Sequence, residues 1–417
     1  MTDSAPATRR NGKNAFMFVI ITVAIDMLAF GLIIPVVPTL VQELGNISAE
    51  RATLYIGGLG TTYAFMNFLF GPMLGALSDR FGRRPVLLAS IATLSIDFLI
   101  MGFANSIWLL FLGRALSGIS GATYSTANAY IADVTEPENR GKAFGMVGAA
   151  FGFGFIFGPV MGGILGEFDP RAPFFAAAAL ALLNFCYGFF VLPESLEEEH
   201  RRPFVPSRSN PFGAVKHFSK LPHVSWFLVS AGVFFLAHTV YPSTWPIHGE
   251  IRYDWSPKEI GLSLGLVGLG AAVVQAGLIG IALKRFGAVR TTLYGIIINA
   301  LALFAYAFAG LGWVVFLIIP LGALGGVASP TLNSLMSTVT PKNAQGELQG
   351  ASASLNSFAM IFGPMIMAGA LFYFTEPGTP LHFPGAAFLL AGILTAFSII
   401  PFLRGVEANK EKLPIDE

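Results

Sequence analysis

Charge is scarce in this chain. Only 12% of its residues are Asp, Glu, Lys or Arg, where soluble domains hold about 25%. There is one cysteine, Cys186, which excludes an internal disulfide and a thiolate metal cluster. It lies in an apolar stretch and is read as a small, buried apolar side chain. No GxxxxGK[ST] phosphate loop occurs, so ATP does not drive the protein directly. No nucleophile–base pair and no metal-ligand spacing stands out, so neither a cofactor nor enzyme chemistry is indicated. A net charge of +1 gives no overall attraction for nucleic acid, which is not expected as a partner.

What fills the chain is apolar. Hydrophobic residues make up 54%, 39 of the residues are Phe, and mean hydropathy is +0.66. Apolar windows fall at about 15–41, 53–77, 86–104, 107–131, 143–166, 173–192, 223–246, 260–283, 290–310, 313–335, 347–373 and 384–403. A bilayer core takes roughly 20 helical residues to cross. The first window is too long for a signal-peptide core, and no small-residue cleavage site follows it. Only helices and closed barrels satisfy the backbone in lipid, and windows this long and uniform do not read as barrel strands. The predicted fold class is all-α integral membrane, with twelve transmembrane helices.

Basic residues are placed unevenly. Loops on the side of the N-terminus hold Arg9, Arg10, Lys13, Arg80, Arg83, Arg84, Arg140, Lys142, Lys284, Arg285, Arg290, Lys342 and Arg404, among others. Loops on the other side hold only Arg51, Arg171, Arg252 and Lys258. The positive-inside rule then predicts a multi-pass protein of the inner (cytoplasmic) membrane with both termini in the cytoplasm. The longest polar stretch, Pro193 to Pro222, is rich in Pro, Ser and mixed charge and reads as a linker. It divides the chain into residues 1–192, a six-helix bundle, the linker 193–222, and a second six-helix bundle, 223–417.

The two halves repeat. "WLLFLGRALSGISGATYSTAN" starts at Trp108 and "WVVFLIIPLGALGGVASPTLN" at Trp313, an offset of 313 − 108 = 205. The same offset brings Arg80-Phe81-Gly82 onto Arg285-Phe286-Gly287, and Phe157-Gly158-Pro159 onto Phe362-Gly363-Pro364. One ungapped offset across four windows indicates two copies of one six-helix unit.

Four motifs concentrate in the first half: "IDMLAFGLIIPVVPTL" in the first window, "GALSDRFGRRPVLLAS" after the second, "FLGRALSGISGAT" in the fourth and "GFGFIFGPVMGG" in the fifth. "VLPESL" follows the sixth. On these motifs the chain resembles the drug:proton antiporter branch of the major facilitator superfamily, and most of all its tetracycline-efflux group. The resemblance covers nearly the whole chain and is tightest to about residue 175. It implies two parallel six-helix repeats with substrate held near the midplane between them. It implies proton-driven export of an amphiphilic small molecule, tetracycline and other cationic or metal-chelated drugs among the candidates. Protons and the lipid bilayer would be its other partners. The residues themselves leave open an importer or symporter on the same fold, and a non-transporting membrane sensor.

Asp26 and Asp97 fall mid-window. Each intramembrane carboxylate costs about 2.5–3.5 kcal/mol on insertion scales. Taking a carboxylate out of water favours its protonated form. Such a group either binds and releases protons or makes a structural hydrogen bond; both positions coincide with aspartates of the resembled group, which implies proton coupling. Arg114 keeps its charge and needs a counter-charge or a ring of carbonyls. Gly118, Gly121, Ser125 and Asn128 follow it on one small, polar face, suited to a cavity wall or to close helix packing. The fifth window is marked by Gly154, Gly158, Pro159, Gly162 and Gly163; glycines permit close helix approach and the proline permits a bend. The resemblance makes that segment an interface between the halves.

Other polar groups inside windows are Asn67, Asn128, Gln275, Asn299, Asn333 and Asn356, with Asn184; each either lines a cavity or bonds helix to helix. Phe234, Phe235, Tyr241 and Trp245 either stack on substrate or anchor at the membrane interface. In the loop signature around Gly75 and Gly82, the resemblance implies that Asp79 caps the start of the eleventh helix near Gly346. It also implies that Arg83 pairs with Asp133, the two contacts together closing a gate. The chain departs from its resembled group at Ala271 and Asn299, which stand where that group carries a histidine and an aspartate. Neither carries a proton. His238 is then either a substitute carrier or a histidine hydrogen-bonded within its helix.

Overall fold

The structure, a computed structural model, describes residues 7–121, 123–136, 139–202 and 224–413. In the first half it places α1 (Ala7–Ile33), α2 (Val37–Gly45), α3 (Ala49–Phe81), α4 (Arg83–Gly102), α5 (Ile107–Ser120), α6 (Thr123–Val134), α7 (Arg140–Gly166) and α8 (Ala172–Val191). In the second it places α9 (Ser225–His238), α10 (Val240–Tyr253), α11 (Pro257–Val273), α12 (Ile279–Phe308), α13 (Gly312–Ala323), α14 (Ala328–Val339), α15 (Gln345–Tyr373), α16 (Ala386–Phe397) and α17 (Ile399–Ala408). Among the described residues there is no strand.

These segments form twelve rods. α1 runs into α2, α5 into α6, α9 into α10, α13 into α14 and α16 into α17, α11 continues through the turn Val274–Leu278 into the first part of α12, and α12 is bent in two at Gly287. Among the described residues nine spans are long and apolar enough to cross a bilayer, the longest, Pro257–Phe308, holding two rods. The outward surface is apolar. Phe190 is 83% exposed, Leu183 65% and Leu301 61%, an arrangement that only lipid favours. Cys186 belongs to that surface. It is exposed on α8, which corrects its reading as a buried side chain. In lipid an apolar thiol is as well placed outside as inside.

The repeat is visible in where the rods break. The turn between α3 and α4 is made by Gly82 at φ 103°, and the bend in α12 by Gly287 at φ 70°. Only glycine adopts such angles without strain, and 287 − 82 = 205, the offset of the sequence repeat. α1 stops at residues 34–36, around Pro35, and α9 stops at Thr239, so 34 and 239 are again 205 apart. α5 ends before Gly121, and a short 3-10 turn, Leu324–Val327, interrupts the matching rod.

α7 packs between α1 of its own half and α11 of the other. A Cβ built on Gly158 would stand 2.7 Å from the Leu28 carbonyl oxygen and 2.8 Å from Gly31 Cα, so the two backbones touch there. Across the halves, Gly163 meets Pro257 and Lys258, Gly265 meets Val160, and Gly268 meets Ile156. The same face of α7 then opens: added Cβ atoms at Gly152, Gly148 and Gly145 would meet nothing within 4 Å. α3 and α15 behave alike. Gly57 packs on Ala368, and Thr61 Oγ1 donates to the Ile361 carbonyl oxygen at 2.8 Å. Beyond them Gly75, Gly346 and Gly350 face open space. The halves therefore touch at one end and part at the other, the end that carries the arginine-rich loops.

Polar contacts close the far end. Gln42 Nε2 donates to Glu250 Oε1 at 2.7 Å, Arg51 pairs with Glu376 at 3.3 Å, and the Lys258 backbone N–H donates to Glu167 Oε1 at 3.4 Å.

Gly158→Val forces a branched side chain into the α1–α7 contact. Overpacking of this kind costs about 1–3 kcal/mol, so the purified variant is expected to melt several degrees lower in detergent. Gly148→Ala, in open space, is expected not to lower the melting temperature.

Candidate functional site

Arg114 projects from α5 towards α4. Its guanidinium pairs with Asp97 at 2.9 Å, and the Ser117 hydroxyl, one turn on, donates to the same carboxylate oxygen, Oδ2. Asp97 is fully buried and Arg114 is 8% exposed. The other carboxylate oxygen, Asp97 Oδ1, has no partner, and neither has Arg114 Nε. The Arg114 guanidinium also stands 5.8 Å from the centre of the Tyr63 ring on α3. Two charges that could not separately remain in a membrane interior thus hold each other across two helices.

Asp26 sits elsewhere in the same half, between α1 and α8. Asn184 Nδ2 donates to its Oδ1 at 3.2 Å, and Thr22 Oγ1 donates to Asn184 Oδ1 at 3.1 Å. Asp26 Oδ2 has no partner. Asp26 is therefore not part of the Arg114 cluster, although both lie in one bundle.

Between the halves, at the closed end, lies a cavity of roughly 160 Å³. Phe30, Ile33, Ile56, Met101 and Met360 form its apolar wall, and Tyr63, Arg114 and Ser243 its polar points. Whole drug sites measure about 300–1,000 Å³. This volume is the floor of the cleft, whose remainder opens towards the basic end.

At that basic end Arg83 Nε donates to Asp133 Oδ2 at 3.2 Å and Arg83 Nη1 bonds both Ser78 and Asp79. Asp79 thus faces Arg83, while Gly346 at the start of α15 stands in open space. Glu194 belongs to the same cluster, and sequence reading passed over it except as part of "VLPESL". Its carboxylate accepts the backbone N–H groups of Arg83 at 2.8 Å and Arg84 at 3.2 Å, the first two of α4, where the helix dipole favours an anion. Ser195 donates to Asp133 at 3.3 Å and the Arg202 N–H to the Asp79 carbonyl oxygen at 3.0 Å, so the start of the expected linker is pinned here. The rest of that stretch, 203–222, lies outside the described residues.

The polar residues of the windows scatter. Asn67 Nδ2 donates to the Gly121 carbonyl oxygen at 3.3 Å, tying α3 to the end of α5. Asn128 is half-buried on α6; Gln275, Asn333 and Asn356 are exposed. None of these five lines the apolar cavity floor. Asn299, 6% exposed on α12, faces His238, with Oδ1 3.2 Å from Nε2. Ala271 is half-buried near the end of α11. Phe234 and Trp245 are core residues. Phe234 lies on the His238 ring, and Trp245 packs among Tyr306, Phe388 and Trp255 and donates to Ser263 at 2.9 Å. Trp245 is thus neither a membrane-interface anchor nor free to stack on a ligand. Ser125 falls among residues whose side chains lie outside the description.

A family profile, the Major Facilitator Superfamily, matches residues 19–364. The tetracycline resistance protein of class C from Escherichia coli is 41% identical over 355 residues, covering 85% of this chain and 89% of that one. The class G protein from Vibrio anguillarum is 38% identical over 353 residues, with the same two coverages of 85% and 89%. Among solved structures, a nucleoside transporter superposes with a TM-score of 0.74 over 95% of this chain and 99% of its own, at 14% identity, a likeness of fold alone.

Asp97→Asn leaves the Arg114 charge buried and unpaired. Breaking a buried pair on one side costs about 3–5 kcal/mol. The single variant is expected to melt at a lower temperature in detergent than the wild type, and the double variant Asp97→Asn, Arg114→Gln to recover much of the difference.

Proposed function

The chain belongs to the major facilitator superfamily, in the group that holds the tetracycline resistance proteins, and we propose that it exports an amphiphilic drug-like molecule, tetracycline among the candidates, in exchange for protons. It acts as a transporter and not as an enzyme. The observation that carries this reading is a pair of carboxylates sealed inside membrane helices, Asp26 and Asp97, each with one oxygen left without a partner. An unpartnered carboxylate oxygen in the interior is a seat for a proton.

Arg114 links that seat to the cargo. One guanidinium both pairs with Asp97 and lines the cavity floor. A proton on Asp97 neutralises the carboxylate, whereas a cationic group of the cargo at the cavity floor favours its ionised form. Two ligands that bind exclusive arrangements of one residue exchange for each other, and linkage makes the coupling reciprocal. The apolar wall of Phe30, Ile33, Ile56, Met101 and Met360 suits the apolar body of an amphiphile.

The bundles 1–192 and 223–417, joined by 193–222, rock about the far-end contacts. The excess of basic residues on one side makes that side cytoplasmic, with both termini there. The present arrangement is then open inward. In the opposite arrangement α3 and α15 close at the basic end, which brings Asp79 to the N-terminus of α15 near Gly346. An anion at a helix start is worth about 0.3–1 kcal/mol. Arg83, held by Asp133, keeps Asp79 aimed.

Proteoliposomes supply the first test. Addition of drug from a panel containing tetracycline is expected to evoke proton movement with the wild-type protein. Asp26→Asn is expected to reduce it by about tenfold or more, equivalent to about 1.4 kcal/mol. Wild-type protein that moves no protons with any compound, or a silent Asp26→Asn, sinks the antiport reading. The gate is tested by spin labels on the basic ends of α3 and α15. Asp79→Asn is expected to shift the population towards the inward-open distance by about two- to fivefold, the range that 0.3–1 kcal/mol supplies. An unchanged distribution removes Asp79 from the gate.

A further inference from the structure

His238, at the end of α9, is a titratable group that the mechanism above leaves unused. It is half-buried, its ring lies on Phe234 with centroids 3.9 Å apart, and the Tyr241 ring stands 5.8 Å away. Its two nitrogens face two oxygens. Nδ1 is 2.9 Å from the Phe234 carbonyl oxygen and Nε2 is 3.2 Å from Asn299 Oδ1. A carbonyl oxygen only accepts, so Nδ1 carries a hydrogen. Nε2 then has two ways to be satisfied. When protonated, it donates to Asn299 Oδ1, in the arrangement seen. When unprotonated, it accepts, and the Asn299 amide turns over to present Nδ2. An amide serves both charge states of the ring, whereas a carboxylate in its place would serve only the charged one.

Access and surroundings agree. His238 stands one turn before Pro242, which lines the cavity between the halves. α14 and α16, packed on α9, contain no Asp, Glu, Lys or Arg. On α15 the one charged residue, Glu347, is in the first turn. On α17, Arg404 lies over the Trp226 ring, which is twelve residues, about 18 Å, from His238 along the rod, and Glu407 follows Arg404 by three residues towards the helix end. Glu250 on α10 is as far in the other direction. On α12, Arg290 precedes Asn299 by nine residues, about 13 Å. No fixed charge near the ring holds it in one state.

We propose that His238 is a proton carrier of the C-terminal half, with Asn299 as the positioning residue that holds the ring in either charge state. The proposal deepens the proton-driven reading and rests on it for its use in transport. A proton from water in the cleft adds to the Nε2 lone pair and forms the N–H bond; release to the same water breaks that bond, and no other bond changes.

The test is a titration of the full-length protein, labelled with 15N-histidine, in lipid nanodiscs. A ring-nitrogen signal that is lost in His238→Gln is expected to change protonation state as the pH is lowered across the range in which the protein stays folded. Asn299→Asp, which sets an ionisable carboxylate against Nε2 and favours the charged ring, is expected to move that step to higher pH while the fold persists. In proteoliposomes His238→Gln is expected to flatten the pH dependence of drug-evoked proton movement while drug still binds. A His238 signal held in one protonation state throughout, or a wild-type pH profile in His238→Gln, overturns the proposal. The titration judges His238 independently of transport, so a wild-type protein that moves no drug defeats the export reading and leaves a distinguishable result here.

Discussion

Arg114 keeps its charge wherever it is placed, and it is placed inside a membrane rod. Much of the N-terminal half follows from that constraint. α4 must bring Asp97 within 2.9 Å, Ser117 must bond the same carboxylate, and the Tyr63 face must stand opposite on α3. α3 is also one of the helices that touch the other half, through Gly57 and Thr61. The helix that offers a ring to the buried cation is therefore also a helix of the contact between the halves.

The two halves share their mechanical joints and differ in their chemistry. Gly82 and Gly287 make equivalent turns, residues 34–36 and Thr239 equivalent breaks, and Pro159 and Pro364 sit at equivalent points of α7 and α15. Backbone bends depend on residues without side-chain charge, so both copies retain them. The charged groups obey no such equivalence. Lys284 stands where the first copy has Asp79, and nothing in the second copy matches Asp97 or Arg114. One half carries the salt bridge and the basic-end cluster, the other the aromatic core around Trp245 and the His238–Asn299 pair. The bundles thus share their bends while each holds a different polar device.

Legibility varied with the range of the interaction. Helices were readable because lipid demands that each backbone group be satisfied within its own segment, which leaves long apolar windows as the signal. The repeat was readable because an offset survives in spacing. Asp26, Asp97 and Arg114 stood out because a charge in an apolar window is rare. Glu194 did not, since a glutamate after a helix looks like any solvated loop residue until its carboxylate is found on the first N–H groups of α4. Trp245 and Cys186 were misplaced because a helix apolar on every side gives no hint of which face meets lipid and which meets protein. The polar residues Gln275, Asn333 and Asn356 stayed ambiguous for the same reason.

The amino-acid sequence by itself determined a membrane protein of twelve apolar segments in two repeated sets, with two carboxylates and one guanidinium in its first half, because composition and spacing act segment by segment. Tertiary structure alone decided which of these groups meet. It set Arg114 on Asp97 and left Asp26 with Asn184; it set Asp79 on Arg83 and away from α15; it drew His238 to Asn299 across 61 residues. It also decided that the halves touch at the end bearing few basic residues and part at the other. Those outcomes depend on the rotation of each rod about its axis and on the tilt between bundles. A pattern of apolar residues leaves both free, and only close packing, as at Gly31 and Gly158, removes that freedom.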